Sequence, residues 1–220
     1  MKSLLFLSLL IITDAAIAQF GRIEDKDGYV NIRKNPDLKS EVVGKFVADD
    51  IFWCLESSEG EWLEVDIQTP PYHGHIHKSR VKFIREFYKM AVDHKGQNKL
   101  SFGRDTFKVE IKTRSFEPTK NKISDLANIN EKTSWGNFGT MPKQEYEYIK
   151  LINRGKTFML PAEAIENLFE PDLDRTFVNF DKPTNTLYIH ATNSDGAGDY
   201  VVLWKIKDGR FAGRTTAIPF

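Results

Sequence analysis

Residues 27–67 read DGYVNIRKNPDLKSEVVGKFVADDIFWCLESSEGEWLEVDI, a stretch in which short apolar runs alternate with turn-forming residues. The apolar runs lie at 29–32, 42–47, 51–55 and 62–67. Between them lie three turn-forming pairs: Asn35-Pro36, Asp49-Asp50 and Glu59-Gly60. Short apolar runs bounded by such pairs are typical of β-strands. Several short strands at this spacing predict a small β-barrel or sandwich.

Three segments of this region keep a recognisable order: GYVNIRKNPDLKSEVVGKF at 28–46, GEWLEVDI at 60–67 and GHIHKSRV at 74–81. Together they resemble the bacterial SH3-type (SH3b) domain. The pattern of that domain is Asn-Val/Ile-Arg near the start, a proline a few residues on, a Gly-x-Trp-x-x-Val strand and a closing Gly-Tyr-Val/Ile-His segment. The resemblance covers nearly all of residues 20–85, called the first module below, and implies an SH3-like barrel of five or six strands.

Three of the five histidines, His73, His75 and His77, stand at every second position. In a strand their side chains would share one face, where they could converge on a zinc or copper ion. In the SH3-type pattern, however, His75 stands where an aromatic residue is usual, and His77 where histidine itself is usual. We therefore expect no metal site here, with zinc or copper as the alternative.

The rest of the chain predicts a second domain. Residues 86–105 are polar and charged with little apolar periodicity, which indicates a connector. From residue 106, TFKVEIKTRSF alternates apolar and polar residues, as a half-buried antiparallel strand does. PAEAIENLF, at 161–169, has a proline at its start and apolar residues at helical spacing, which predicts a helix. We expect residues 106–220 to form an α+β domain dominated by antiparallel sheet with one helix, so that the chain is mainly β.

Residues 1–18 have the features of a cleaved signal peptide: Lys2, an apolar run at 4–12, and Ala16-x-Ala18 before Gln19. We therefore expect a periplasmic or extracellular protein. The apolar run is too short to span a bilayer, so we expect no stable membrane insertion. Lys plus Arg and Asp plus Glu both number 31, and this neutrality argues against a nucleic-acid partner. The single cysteine, Cys54, lies in an apolar run and is expected to be buried.

The sequence lacks the residue sets of the common hydrolase mechanisms. The second half contains no cysteine and no Gly-x-Ser-x-Gly elbow, and the only histidines beyond the first module are His94 and His190. This composition predicts a non-enzymatic binding protein without a cofactor. Because the second half is rich in Asp and Glu, a carboxylate-dependent cell-wall glycosidase is the alternative.

Aromatic residues of the first module are the leading ligand contacts, because flat rings supply contact area at low entropic cost. The candidates are Tyr29, Trp62, Tyr72 and His75. Core packing is the alternative role, and the favoured one for Trp62. The expected partner is a cell-wall peptide or an envelope protein.

A second hypothesis makes the barrel a scaffold and places ligand binding in the second domain. Its candidate residues are Trp135 in a glycine-rich loop and Asp195 in the loop NSDGAGDY. That loop does not match an EF-hand, because Ala191 and Val202 would fall at ligand positions. A glycine-rich hairpin loop is the better interpretation, with a calcium or ligand contact through Asp195 and Asp199 as the alternative.

Overall fold

The computed structural model describes residues 17–56, 60–67, 72–104 and 107–219, and the protein is mainly β with antiparallel sheets. Residues 1–16 of the predicted signal peptide lie outside the described residues. The described strands and the one described α-helix are β1 (Ile17–Ile23), β2 (Tyr29–Arg33), β3 (Val42–Val47), β4 (Ile51–Glu56), β5 (Trp62–Asp66), β6 (His73–His77), β7 (Val81–Phe83), β8 (Tyr88–Lys89), β9 (Val92–Lys95), β10 (Lys99–Arg104), β11 (Phe107–Ser115), β12 (Gln144–Asn153), β13 (Lys156–Met159), α1 (Ala162–Ile165), β14 (Thr176–Asp181), β15 (Thr186–Asn193), β16 (Tyr200–Lys207) and β17 (Arg210–Ala217).

The first sheet contains the strands of the first module in the order β3-β2-β6-β5-β4-β1-β7. Its strands alternate as the sequence predicts: in β5, Leu63 and Val65 are buried while Trp62 and Glu64 lie on the opposite face. Within the described residues the two end strands of this order, β3 and β7, do not pair with each other. The SH3-like barrel therefore stays a prediction.

Gly74 allows β6 to lie close to β2. A Cβ atom placed on Gly74 would lie only 2.4 Å from Cγ2 of Ile32, and 3.2 Å from the carbonyl oxygen of Arg33. The two strands pair through Arg33 and His75, next to this contact. Glycine is thus required here by space, since its φ is not in the left-handed region.

A second sheet has the order β13-β12-β11-β10-β9, and a third has the order β17-β16-β15-β14-β8. These two sheets face each other across one core, with Val109, Ile111 and Ile149 on one side and Ile189, Val202 and Trp204 on the other. The indole N–H of Trp204 donates to the carbonyl of Ala164 in α1, at 2.5 Å. Together the two sheets form a sandwich.

Residues 86–105, interpreted from the sequence as a connector, contain three strands of these sheets. β8 pairs with β14, and β9 and β10 continue the second sheet beside β11. Leu100 and Phe102 of β10 are buried in the sandwich core. Two buried residues in alternation were too weak a signal to predict the strand against the polar residues around them.

The predicted helix is also shorter than its sequence pattern suggested. It covers only Ala162–Ile165, after which Glu166 is extended and Asn167 adopts a positive φ of 58°. The amide nitrogen of Asn167 donates to the carbonyls of Ile129 and Lys132. The carbonyls at the end of the helix accept from other side chains: that of Ala164 from Trp204 and Arg214, and that of Glu166 from Arg214.

The central strands of the third sheet, β15 and β16, are buried on both faces. Tyr188, Val201 and Leu203 point away from the sandwich core and pack on Phe20, Trp53 and Ile84, which belong to the first module. Arg22 of β1 also forms a buried ion pair with Asp181 of β14, with an N–O distance of 2.6 Å. The first module and the third sheet therefore share an apolar interface with a charged pair inside it. The division of the chain into domains stays a prediction.

Candidate ligand-binding cleft

The register of β5 and β6 places aromatic and charged side chains on the outer face of the first sheet. Trp62 pairs with His77, Glu64 with His75, and Asp66 with His73. Since Leu63, Val65 and Ile76 fill the inner face, these six side chains must point outward. The three histidine rings therefore share one face of β6, as their spacing at every second position indicates.

Trp62 and His77 line a small cleft together with Tyr29, Arg33 and Arg80, and we call it the aromatic cleft. The cleft has a volume of about 150 Å³. The Trp62 and His77 rings meet edge to face, with centroids 5.4 Å apart. The lining thus combines aromatic rings with two guanidinium groups, and the Asp27 carboxylate lies 3.6 Å from Arg80 Nη1.

Hydrogen bonds fix the cationic groups of the aromatic cleft. Arg33 donates from Nη1 to the carbonyl of Ser40, at 2.8 Å, and has no carboxylate partner among the described residues. Arg80 is paired with Asp25, and the hydrogen bond from Arg80 lowers the pKa of the Asp25 carboxyl. Just outside the cleft, the Lys45 ammonium lies 3.6 Å from the centroid of the Tyr29 ring. Arg33 therefore contributes an uncompensated positive charge, which favours an anionic ligand group.

The structure brings together two of the four contact residues predicted for the first module. Tyr29 and Trp62 line the aromatic cleft, whereas Tyr72 and His75 do not. Tyr72 is 57% exposed and precedes β6, so it lies about 16 Å along the strand from His77. His75 lies between them, with its Nδ1 atom buried and without a hydrogen-bond partner among the described residues.

Arg33, His77 and Arg80 are members of the aromatic cleft that the sequence interpretation did not select. His77 was assigned a place in the fold pattern only, and its position opposite Trp62 depends on the register of β5 and β6. An alignment of the two alternating strands would have suggested that pair, because cross-strand neighbours share a face.

Two of the three histidines of β6, His73 and His77, have protein partners. His73 Nδ1 lies 3.0 Å from an Asp66 oxygen, and His77 Nδ1 lies 2.8 Å from Ser79 Oγ. Burial raises the pKa of the Asp66 carboxyl, against the effect of His73. Within the described part of the chain, no group of three or more His, Cys, Asp or Glu side chains is arranged to hold a metal ion.

Trp135 and Asp195, the candidates of the second hypothesis, lie in neighbouring depressions of the second half. Asp195 lines a cleft of about 690 Å³, and Trp135 lines one of about 500 Å³. Their two loops touch where Ser194 Oγ donates to the carbonyl of Gly136, at 2.8 Å. The pairing of these residues in the sequence hypothesis thus corresponds to a contact between their loops.

Carboxyl groups in the larger depression bear on the glycosidase alternative. Burial of Asp172 opposes its ionisation, but hydrogen bonds from Arg175 and from the backbone outweigh this effect, so that the pKa of Asp172 is lowered. A glycosidase acid needs a raised pKa instead. Asp172 is therefore not suited to be the proton donor of such an enzyme.

Cys54 is fully buried, as the sequence indicates, and its thiol donates to the carbonyl of Gln19 at 3.3 Å. Burial, with a smaller contribution from Glu56, raises the pKa of this thiol to about 12. The thiolate is the reactive form, so Cys54 has no accessible nucleophilic chemistry in the folded protein.

Among the described residues there is no helix whose length and apolarity would let it cross a bilayer. Comparison of the chain with protein-family models, with curated proteins and with solved structures finds no match. The function must therefore be argued from the site itself.

Proposed function

We propose that this protein is a non-enzymatic binding protein of the cell envelope, and that its first module, an SH3-type domain, holds a carboxylate-bearing peptide in the aromatic cleft. A cell-wall stem peptide has this chemistry, as does an acidic segment of an envelope protein. The signal-peptide pattern of residues 1–18 supports a periplasmic or extracellular location.

The observation that carries the proposal is the convergence of Tyr29, Trp62 and Arg33 on one cleft. Flat rings can pack against a peptide backbone and its apolar atoms at low entropic cost. A guanidinium group without a carboxylate partner can hold a ligand carboxylate through two parallel hydrogen bonds. The cleft therefore combines an apolar contact with a charge-specific one.

The size of the aromatic cleft limits what it can hold. About 150 Å³ is smaller than a typical small-molecule site of roughly 300–1,000 Å³. One side chain or one chain end of a peptide is therefore the expected occupant, with the rest of the ligand outside the cleft. Zero net charge makes this recognition local, and it supports neither a nucleic-acid partner nor a general attraction to polyanions.

Isothermal titration calorimetry tests the proposal with protein beginning at Gln19. The probes are a synthetic stem peptide with free carboxylates and the same peptide with its carboxylates converted to amides. We expect the acid form to bind and Trp62→Ala or Arg33→Gln to weaken binding about tenfold or more, as expected for loss of a ring contact or of a charge-assisted hydrogen bond.

Tyr72→Ala is the matched control, because Tyr72 is an exposed aromatic residue of the same module outside the cleft. Its affinity should equal that of the unaltered protein. Equal binding of the acid and amide peptides, or equal losses in Trp62→Ala and Tyr72→Ala, would contradict the proposal.

A further inference from the structure

The loops at one end of the sandwich enclose a second cleft, in a different part of the molecule from the aromatic cleft. The depressions of Asp195 and Trp135 share a wall formed by 136–138, Ala197 and Gly198. We treat the two depressions, of about 690 and 500 Å³, as one site and call it the loop cleft. Each volume lies within the range of small-molecule sites.

The loops around this cleft are held in a fixed arrangement by buried hydrogen bonds. Asn193 is fully buried and donates to the hydroxyl groups of Tyr146 and Tyr200, at 3.0 Å each. Its carbonyl oxygen accepts the backbone N–H of Asp172, at 2.9 Å. Arg175 links the same loops, donating to the Asp172 carboxylate and to the carbonyl of Ser194. The cleft is thus built before any ligand binds.

Close packing also fixes the shared wall. Gly136 has a φ of +95°, and a Cβ atom there would lie 2.5 Å from the carbonyl oxygen of Phe169. Phe138 follows with a positive φ of 35° and keeps its side chain 73% exposed. Such backbone conformations cost free energy in non-glycine residues and persist only where the surroundings hold them. Phe138 is therefore presented as an exposed ring at the junction of the two depressions.

The two depressions differ in chemistry. Trp135, Tyr200 and Ile218 line the smaller one, and the Trp135 and Tyr200 rings lie 5.9 Å apart. Polar side chains line the larger one: Gln97, Asn137, Lys143, Gln144, Arg175 and Asp195. The loop cleft thus offers apolar ring surface next to amide and charged groups.

Asn137 is a buried polar group in the shared wall. It is only 5% exposed, and its amide nitrogen donates to the carbonyl of Leu126 at 2.6 Å. Because Asn137 lines both depressions, a ligand hydroxyl or amide in the cleft could donate to its side-chain carbonyl oxygen.

The charges of the larger depression do not favour an anion. Glu170 and Asp195 add two negative charges and Lys143 one positive charge, and none of the three has an ion-pair partner within the described part of the chain. Asp172 is already paired with Arg175, and Asp174 with Lys95. The aromatic cleft favours an anionic ligand group instead, because Arg33 has no carboxylate partner among the described residues. The two clefts therefore suit different ligands.

We propose that the loop cleft binds an uncharged oligosaccharide. The apolar C–H faces of sugar rings pack against aromatic side chains such as Phe138 and Trp135. Sugar hydroxyl groups both donate and accept, so amide and carboxylate side chains such as Asn137 and Asp195 satisfy them. A chain of at least two sugar units reaches across the Phe138 junction into both depressions.

The test is isothermal titration calorimetry of protein beginning at Gln19 with chitotetraose, cellotetraose and maltotetraose, each up to millimolar concentration. We expect at least one of the three to bind. Phe138→Ala and Asp195→Ala should each weaken that binding about tenfold, the loss expected for one ring contact or one hydrogen bond to a charged group. Both residues are exposed, so neither substitution should disturb folding, and a thermal melt checks this.

Tyr88→Ala is the matched control for Phe138→Ala. Tyr88 is 70% exposed, close to the 73% of Phe138, and lies outside the loop cleft. Its affinity for the sugar should not change. Failure of all three sugars to bind, or unchanged binding by Phe138→Ala, overturns the proposal.

Trp62→Ala separates this proposal from the function proposed for the first module. The loop-cleft proposal predicts unchanged sugar binding in that variant. If Trp62→Ala abolishes sugar binding while Phe138→Ala preserves it, the sugar occupies the aromatic cleft, and the loop-cleft proposal is wrong. If Trp62→Ala loses binding of the stem peptide and keeps binding of the sugar, the result supports the function proposed for the first module and leaves the loop-cleft proposal standing.

Discussion

Substitution of Asp181 by alanine should strongly destabilise the protein, because it leaves Arg22 charged and buried at the interface between the first module and the third sheet. Both side chains are only 4% exposed, and Arg22 Nη1 lies 2.6 Å from Asp181 Oδ2. Burial opposes the charge on Arg22, but hydrogen bonds and attraction from Asp181 and Tyr188 outweigh it, so that the pKa of Arg22 is raised.

Removal of one partner of a buried ion pair typically costs about 3–5 kcal/mol. Arg22 keeps a second contact to Glu24 at 2.7 Å, so we expect Asp181→Ala to cost about 3 kcal/mol, the lower end of that range. Replacing both members, as in Arg22→Met with Asp181→Leu, should recover much of the loss because no unpaired charge remains.

Urea denaturation of protein beginning at Gln19, analysed by linear extrapolation, measures these differences. Glu86→Ala is the control, since Glu86 pairs with Lys82 at 2.8 Å on the surface and should cost less than about 1 kcal/mol. If Asp181→Ala costs no more than Glu86→Ala, the first module does not pack on the third sheet as described.

Three further predictions follow from buried groups. Burial, aided by Lys89, lowers the pKa of His190 from 6.5 to about 4. As the pH falls, His190 is therefore protonated in the unfolded chain before it is protonated in the folded protein. Stability should therefore decrease between pH 6.5 and about 4, by up to roughly 3 kcal/mol, and His190→Gln should lack this decrease in urea melts at several pH values. Asn193→Ala should cost about 2–3 kcal/mol in the same assay, because it leaves the hydroxyl groups of Tyr146 and Tyr200 short of partners; a loss no larger than for a surface residue would refute this network. Cys54 should resist a colorimetric thiol reagent in the folded protein and react after unfolding, and rapid reaction of the native protein would contradict its burial.

The mainly-β fold follows directly from alternation in the sequence. β5 and β11 both show an apolar residue at every second position, and both are strands of antiparallel sheets. β10 escaped the same logic, because only Leu100 and Phe102 are apolar at its buried positions and its neighbours are polar. β10 is a strand because it pairs with β11, and the residues of β10 alone do not reveal that pairing.

The contact between the first module and the third sheet had a sequence signal that the prediction did not use. Residues 200–206, YVVLWKI, are apolar at nearly every position, as in a strand buried on both faces. Val201 and Leu203 indeed face the first module, while Val202 and Trp204 face the sandwich core. The ion pair of Arg22 with Asp181 had no comparable signal, since the two residues are 159 positions apart.

Strand register decides which of the predicted contact residues lie together. Tyr29 and Trp62 were both candidate ligand contacts, with core packing the favoured role for Trp62, and both line the aromatic cleft. Tyr72 was selected on the same grounds, yet it lies at the opposite end of β6 from His77. Which aromatic residues converge depends on how strands pair, and a list of residue types does not contain that information.

The most direct test of the central claim is an NMR titration that follows the tryptophan indole N–H signals of protein beginning at Gln19. The chain has four tryptophans, and only Trp62 lines the aromatic cleft. On addition of the stem peptide with free carboxylates, we predict a shift of the Trp62 signal, while those of the buried Trp53 and Trp204 and of Trp135 in the loop cleft stay in place. A shift of the Trp135 signal instead, or no shift at saturating peptide, would contradict the assignment of peptide binding to the aromatic cleft.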